Sequence, residues 1–416
     1  MDNESSARLA WAILGAVFVS VSPIVAGMEE HQSFANVSRH LGVVGRVNLG
    51  SFYTPARYVR LVGEWLLRHG VERDWVIADL SCGYGAFFEL GDVEGLHECR
   101  YLGNDIDSEA VEKARALFPN VRMSVKNALY DVTRETFGIP NDARLAIVGN
   151  PPYNDVTSQS NQSIKTNSVP IDADLRTRDL GMSSLLAYEK LHADYVAVLH
   201  PLSYLIKKTN FMAARRFFEN YTLLDHVVFS SAEFAGTSKT SCFPVIVALY
   251  KRTPGNGLSY AEVRKIRFHT EAGDVFSLDG SDYVTDDIDK YPSERRYSPE
   301  ILFYTLRDIN ALRRCRTFIH TRIANAVDVD PAKLAYYCYI DCFKRYADVP
   351  YYLGNFNVPF IRAEFASMSN DVVSLAKNAH PDIFGTCAKP TRDAESRVCA
   401  YIEKSLKGRD QQDADR

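Results

Sequence analysis

The chain has 416 residues, 46% of them hydrophobic and 24% charged. That is enough apolar content for more than one core, and too much for an intrinsically disordered protein. The formal net charge of -4 excludes no class of partner, because even a nucleic-acid enzyme needs to be basic only on the face that meets phosphate. Eight cysteines without a Cys-x-x-Cys pair exclude a disulfide scaffold. Cys338 and Cys342 lie one helical turn apart with His320 upstream, but no set of four zinc ligands can be assembled around them. They read as thiols of a protein in a reducing cytoplasm, and no metal is expected.

Residues 1–27 form an apolar leader. Leu9 to Gly27 is interrupted only by Ser20, Ser22 and Pro23, a length that suits a short membrane span or a signal h-region. The residues before it are acidic, with Arg8 their one cation, and Pro23 would fall inside any spanning helix. Three readings stand: translation starting at Met28, a membrane-associating segment, or a helix packed on the following domain. Everything after Met28 reads as soluble, and membrane association is not expected.

From Val71 to Tyr250, short apolar strands alternate with helical stretches. Strands are expected at Trp75–Leu80, Arg100–Gly103, Val121–Val125, Leu145–Gly149, Tyr195–Leu199, Leu223–Phe229 and Phe243–Tyr250. Helices are expected at Ser108–Phe118 and around Ser184–His192. This rhythm implies a mostly parallel sheet covered on both faces, with ligands at the carboxyl ends of its strands. Asn154 to Ser183 breaks the pattern with Ser, Asn, Gln and Asp, and includes Lys165, Arg176 and Arg178. A polar loop of that length directly after a strand end is expected to be a lid. Residues 254–404 change character, rich in Tyr, Phe, Arg and Asp, and read as a second, mixed α/β domain. Residues 405–416 read as a polar tail that frays.

Two segments carry chemistry. Asp79-Leu80-Ser81-Cys82-Gly83-Tyr84-Gly85 follows the first strand, and its glycines allow a ligand close to the backbone at the start of helical sequence. Asp105 ends the second strand, where an acidic residue can bind both hydroxyls of a ribose. The Gly-x-Gly spacing lacks the third glycine of the dinucleotide fingerprint. Turn and acid together fit a nucleoside cofactor, against the plain reading of a tight turn and a capping Asp. The second segment is Asn150-Pro151-Pro152-Tyr153 at the end of the fourth strand. The amino nitrogen of adenine is a poor nucleophile because its lone pair is delocalised into the ring. An Asn oxygen and a proline carbonyl can accept its two N–H groups, draw the nitrogen toward tetrahedral and free the lone pair for in-line attack on a methyl sulfonium. Prolines hold that carbonyl rigidly, and Tyr153 can stack on the base.

With these motifs in place, residues 49–253 resemble the catalytic domain of DNA adenine-N6 methyltransferases, in the subgroup with cofactor motifs first and recognition at the C-terminus. Gly50-Ser51-Phe52-Tyr53-Thr54-Pro55 resembles the family's leading motif, which places Thr54 and Pro55 against the methionine part of S-adenosylmethionine. The resemblance implies a Rossmann-like seven-stranded methyltransferase domain over 28–253 and a target-recognition domain over 254–404. It assigns Asp79, Ser81, Gly83, Gly85, Asp105 and Ile106 to the cofactor, with Asn127 and Ala128 at its adenine and Asn150 bordering it. The family's Asp-Pro is here Asp79-Leu80, and Asn127 stands where the family often has Asp. Asn150–Tyr153 matches the catalytic motif without departure. Tyr195–Leu205, with His200-Pro201, resembles the strand and turn lining the target pocket. Ala232-Glu233-Phe234-Ala235-Gly236 resembles the segment whose Phe stacks on a flipped base, so Tyr153 and Phe234 are expected to sandwich it.

The partner implied is double-stranded DNA, with a separate restriction endonuclease as a possible companion in a restriction-modification system. Arg295, Arg296, Arg313, Arg314 and Arg316 are candidate DNA contacts, with Arg307 and Arg322 in the same cluster; the bland alternative is a solvated helix face. Tyr336, Tyr337, Tyr339, Tyr351 and Tyr352 are expected in a core. RNA adenine or guanine methyltransferases and glutamine methyltransferases of release factors share the Asn-Pro-Pro-Tyr motif. The glutamine enzymes place a helical domain first and end soon after the catalytic domain, whereas here some 150 residues follow it.

Overall fold

Side chains alternate between the faces of a strand, so a strand buried on both sides must be apolar at nearly every position. Val76–Asp79 (β1), Leu145–Gly149 (β4) and Tyr195–Pro201 (β5) are buried throughout, as the middle of such a sheet requires. The computed structural model describes residues 54–153, 170–234, 242–279 and 281–414. The chain divides into two units, Met1–Arg46 and Val47–Arg416. All of the first, with the apolar leader, lies outside the described residues, and every element below belongs to the second.

Seven strands form the main sheet. Besides β1, β4 and β5, these are Arg100–Asp105 (β2), Arg122–Val125 (β3), Tyr221–Ser230 (β6) and Pro244–Arg252 (β7). Their order is β3-β2-β1-β4-β5-β7-β6. All neighbours pair in parallel except β7, which is antiparallel to both β5 and β6. This is the Rossmann-like seven-stranded arrangement expected from the sequence. The order reverses between β1 and β4, so Asp79 and Gly149 end side by side at the switch point where such sheets bind ligands.

Each face has its own apolar cluster. Ile77, Ala146, Val148, Ala197 and Leu249 join one, which Ala56–Arg68 (α1) covers with Tyr58, Val59, Val62, Trp65 and Leu66. That three-and-four spacing is a single helical face. Ser108–Leu117 (α2) packs beyond β2 and β3 through Val111 and Ala114, with Asp107 as its N-cap. Val76, Ala78, Ile147, Val198 and Ala248 join the cluster of the other face, covered by Leu180–Lys190 (α3).

Past residue 254 the cluster under α3 runs on through Phe268, Phe303, Tyr337, Ile340 and Val372, while Leu302, Ile319 and Ala326 form a small separate cluster. Leu302–Tyr304 (β8) is the middle strand of a three-stranded antiparallel sheet, between Phe318–Ile319 (β9) and Ala326–Asp328 (β10). The short helix Ile309–Arg314 (α4) links β8 to β9. Three longer helices follow in the chain, Leu334–Tyr346 (α5), Arg362–Ala379 (α6) and Ala394–Ala414 (α7). Asp341 on α5 binds these pieces together, accepting from Thr317 at 2.5 Å and Arg345 at 3.0 Å, with the His380 ring 2.8 Å away. Tyr337 and Tyr339 are core residues, as expected. Cys338 and Cys342 are buried in α5, and burial pushes the Cys342 thiol up to about 12.

Three expectations need correction. The segment after the glycine turn is not an α-helix but a seven-residue 3-10 stretch, Ala86–Asp92, which buries Phe87, Phe88 and Leu90 at spacings too close for one α-helical face. The polar insertion is shorter than its composition implies. Residues 170–183 are built structure, with Asp172 accepting from the amides of Asp131 and Val132, Leu175 fully buried and α3 beginning at Leu180; residues 154–169 lie outside the described ones. The tail 405–416 does not begin as a frayed end. The last helix carries on to Ala414, with Tyr401, Ile402 and Ser405 anchoring its middle in the core.

One buried amide joins the strand ends around the switch point. Asn104 Nδ2 donates to the carbonyls of Leu80 at 3.1 Å and Lys126 at 3.0 Å, and its Oδ1 accepts from Ser124 Oγ at 2.8 Å. Asn104→Ala leaves those groups without their partner in a dry site, so stability is expected to fall by about 2 kcal/mol. A lower midpoint of urea unfolding with an unchanged slope is the result that checks this.

Candidate active site

The glycine turn is shaped by its backbone. Gly83 (φ 50°) and Gly85 (φ 89°) occupy the left-handed region that side chains with a Cβ avoid. A Cβ on Gly83 would point into open space, so that turn presents bare backbone to whatever lies above it. A Cβ on Gly85 would come within 2.7 Å of Phe88, so the second glycine serves packing. The stretch that follows is a short 3-10 one, so an anion here would depend on turn amides and not on a helix dipole.

Two carboxylates hold the turn. Asp105 Oδ2 accepts from the Gly83 amide at 2.7 Å and its Oδ1 from the Asp107 amide at 2.9 Å. A carboxylate has about four acceptor positions, so both oxygens keep capacity for hydroxyl donors. Asp79 Oδ1 accepts from the Ser81 amide at 3.0 Å. Burial pushes the Asp79 carboxyl up to about 8, with the charge of Asp105 adding to it; burial also raises Asp105. Beside Asp105, Ile106 is 48% exposed, an apolar surface at the mouth of the turn. Thr54 is buried and Pro55 caps α1, while Gly50 to Tyr53 lie outside the described residues. Ala128 is partly buried against the core. Asn127 is already engaged: its Nδ2 donates to the Pro170 carbonyl at 2.5 Å and its Oδ1 accepts from the Leu129 amide at 3.0 Å. The amide assigned to a cofactor base therefore also fastens the chain returning from residues 154–169.

Asn150, Pro151, Pro152 and Tyr153 leave β4 at the switch point, one strand from Asp79. Pro151 is buried, and Tyr153 packs against the clusters of both sheet faces. Burial raises the Tyr153 phenol far above its ordinary range, with the neighbouring Asn150 side chain opposing the shift. Asp179, the N-cap of α3, accepts from the Tyr204 hydroxyl and adds to the raised pKa of both Tyr204 and Tyr153. His200 does not line an open pocket. It is fully buried between Tyr204 and Tyr250, with Nε2 2.8 Å from the Tyr250 hydroxyl, and burial takes its pKa down to about 4. It is a neutral core histidine.

Phe234 is 2% exposed and sits edge-on to Phe229. Its ring centre is 6.5 Å from that of Tyr153 with the planes 46° apart. A base stacked on both rings needs them parallel and roughly 7 Å apart. The two rings are instead tilted and closed on each other. The residues that follow each ring in the chain, from 154 and from 235, are outside the described ones.

The candidate DNA contacts Arg295, Arg296, Arg313, Arg314 and Arg316 are all exposed, but they do not share one helix face. Arg295 and Arg296 lie in irregular chain near Asp289 and Asp328. Arg313 and Arg314 form the last turn of α4, and Arg314 and Arg316 line an open depression with Tyr304 and His320. Arg322 is taken up by Glu300 and Asp328. Asn104 and Asp179 also shape the site, although sequence motifs do not point to them, and Tyr204 falls within the Tyr195–Leu205 segment that the resemblance did mark. The sequence signal for Asn104 is a polar residue inside an apolar strand, and for Asp179 an Asp directly before a helix.

The sequence matches no protein-family model and no curated protein. Solved structures with a similar fold include the type I restriction-modification methyltransferase subunit of Streptococcus thermophilus (16% identity, 50% of this chain and 47% of that one, TM-score 0.35). TrmN of Thermus thermophilus is similar at 15% identity, over 47% of this chain and 52% of that one, with TM-score 0.30. A TehB-like SAM-dependent methyltransferase of Corynebacterium glutamicum is similar at 17% identity, over 48% of this chain and all of that one, with TM-score 0.26. The matched region spans about half the length of the first two.

Asp79 gives the site a pH dependence of known sign. Its folded pKa is raised above the unfolded value of 3.8, so its contribution to stability is complete below about pH 4 and is lost as pH rises through about 8. Asp79→Asn is expected to flatten that part of the decline, with melting temperatures of variant and parent diverging from pH 5 toward pH 9 in favour of the variant.

Proposed function

We propose that this protein transfers a methyl group from S-adenosylmethionine to the N6 amino group of adenine in DNA. The observation that carries this reading is the position of Asn150-Pro151-Pro152-Tyr153 at the carboxyl end of β4, beside the Asp79 turn across the switch point. The residues present fit such a cofactor. Asp105 has acceptor capacity for two ribose hydroxyls, Gly83 leaves bare backbone, Ile106 offers an apolar surface, and Thr54-Pro55 opens α1. When bound, S-adenosylmethionine supplies an electrophilic methyl group on a sulfonium.

The protein's part is positioning. Asn150 Oδ1 and the Pro151 carbonyl would accept the two N–H groups of the target amine, leaving its lone pair directed at the methyl carbon. Tyr153 presents a large aromatic surface beside them, and Phe234 faces it. The amine proton is lost after transfer, so no strong base is needed at the start. An adenine paired in a duplex must leave the stack to reach this depth, which makes base flipping part of the proposal.

Asn150→Ala is expected to lower transfer about a hundred-fold or more while cofactor affinity stays near that of the parent. Asp105→Ala is expected to weaken cofactor binding about ten-fold or more, read by calorimetry. The decisive test is long-read sequencing of genomic DNA from a methylation-free host that expresses the full chain. Modified adenine at one recurrent motif is the expected result. An unmodified genome, with folded protein that binds cofactor, would overturn the DNA assignment, and label appearing in total RNA would then redirect it.

A further inference from the structure

The turn that leads into α3 carries an arginine beside the Asn150–Tyr153 pocket. Arg178 precedes Asp179, the residue that receives the Tyr204 hydroxyl. Asp179 caps α3, and Tyr204 belongs to the buried cluster against which Tyr153 packs, so these groups share one neighbourhood. Arg178 is exposed, yet its head is held: Nη2 donates to Asn210 Oδ1 at 2.7 Å. Asn210 is 4% exposed, and its Nδ2 donates to the Ser203 carbonyl at 3.1 Å. That amide is fastened at both ends, so the oxygen facing Arg178 cannot turn away.

An amide oxygen orients a guanidinium without neutralising it. Some arginines of this half are neutralised, as Arg57 is by Glu233 and Glu271 and Arg216 by Glu189, and others, such as Arg134, spend their donors on backbone carbonyls. Among the described residues no carboxylate lies within ion-pair distance of Arg178, and the side chain that orients it is the neutral Asn210. Arg176, two residues earlier, is also exposed. Lys207, three residues before Asn210, pairs with Asp308, the N-cap of α4, at 2.5 Å. An oriented guanidinium without a carboxylate partner, at the edge of a cluster of aromatic rings, is a phosphate-binding arrangement.

We propose that Arg178, aimed by Asn210, grips a backbone phosphodiester next to the nucleotide whose base enters the Tyr153 pocket. This rests on the reading of the substrate as nucleic acid. Rotating one nucleotide out of a strand swings its flanking phosphates, and a fixed cation there holds the strand in the extruded geometry. Such a contact sets position and carries no sequence information. A DNA strand and an RNA strand present the same phosphodiester, so the contact itself belongs to either.

The test measures binding of a fluorescein-labelled short duplex DNA, and of an RNA stem of the same sequence, to the full-length protein from about 50 to 200 mM salt. Arg178→Ala is expected to weaken binding about ten-fold and to reduce the slope of log affinity against log salt by about one. Cofactor affinity should not move. Arg178→Lys is expected to recover the slope but only part of the affinity, because it keeps the charge and loses the fork that Asn210 orients. Asn210→Ala should weaken binding with the slope intact. Equal affinity and slope in the parent and Arg178→Ala would overturn the proposal while leaving the methyltransferase reading in place. Loss of cofactor binding in Arg178→Ala would overturn it in favour of a structural role. A parent protein that binds neither DNA nor RNA would remove the nucleic-acid reading and this contact together, and which of the two strands is bound identifies the source of the phosphate.

Discussion

The site depends on a buried side-chain amide. Asn104 sits between the Leu80 and Lys126 carbonyls and takes a hydroxyl from Ser124. It therefore fixes the spacing of three strand ends in a place where water cannot substitute. Asp105 is the next residue, and its two carboxylate oxygens reach the Gly83 and Asp107 amides. One link leads to the next: the amide sets the strand ends, the strand ends set the acid, and the acid sets the glycine turn. A parallel sheet brings strand ends together but does not by itself fix the loops above them, and polar bonds of this kind are how the loops become specific.

The other side of the switch point is built on different principles. Around Tyr153 the groups are aromatic and the polar atoms few. Tyr204, His200 and Tyr250 form a stacked, hydrogen-bonded column running from the pocket into the sheet. His200 is kept neutral by burial. The column lets a strand that is otherwise apolar carry a polar group toward the end of the sheet. The Asp105 side is thus held by carboxylates and amides, and the Tyr153 side by rings. That division suits a charged, hydroxyl-rich ligand on one hand and a flat base on the other.

Much of this is readable from residues alone, for a physical reason. Strands buried on both faces, such as Val76–Asp79 and Leu145–Gly149, are continuous apolar runs with a glycine or an acid at the end, and few other structures produce that pattern. The mostly parallel sheet follows from the alternation of strands with helices. What stays hidden depends on long-range partners. Leu175 and Asp172 look like ordinary members of a polar loop until the 129–132 segment is seen to meet them. By sequence Phe234 reads as a ring open to a base, yet it is buried against Phe229, because the strand end beside it supplies a second ring. Asn127 likewise has a partner, Pro170, that lies 43 residues away in the chain and cannot be inferred from its own neighbourhood.

The seam between the two halves of the chain has its own consequence. β6 is the last strand of the main sheet, ten residues long and paired on one side only with β7. Its other side is not left open: Val228 bridges to Thr270, its carbonyl receives the Glu271 amide at 2.9 Å, and the Tyr351 hydroxyl reaches it at 3.2 Å. The residues after Thr253 thus shield an edge that would otherwise invite pairing with another chain. The two halves are therefore not interchangeable cassettes. A fragment cut at that boundary would carry an unguarded edge and lose ring contacts such as that of Phe211 with Tyr260, and any other segment joined after Thr253 would have to supply the Thr270 and Tyr351 contacts.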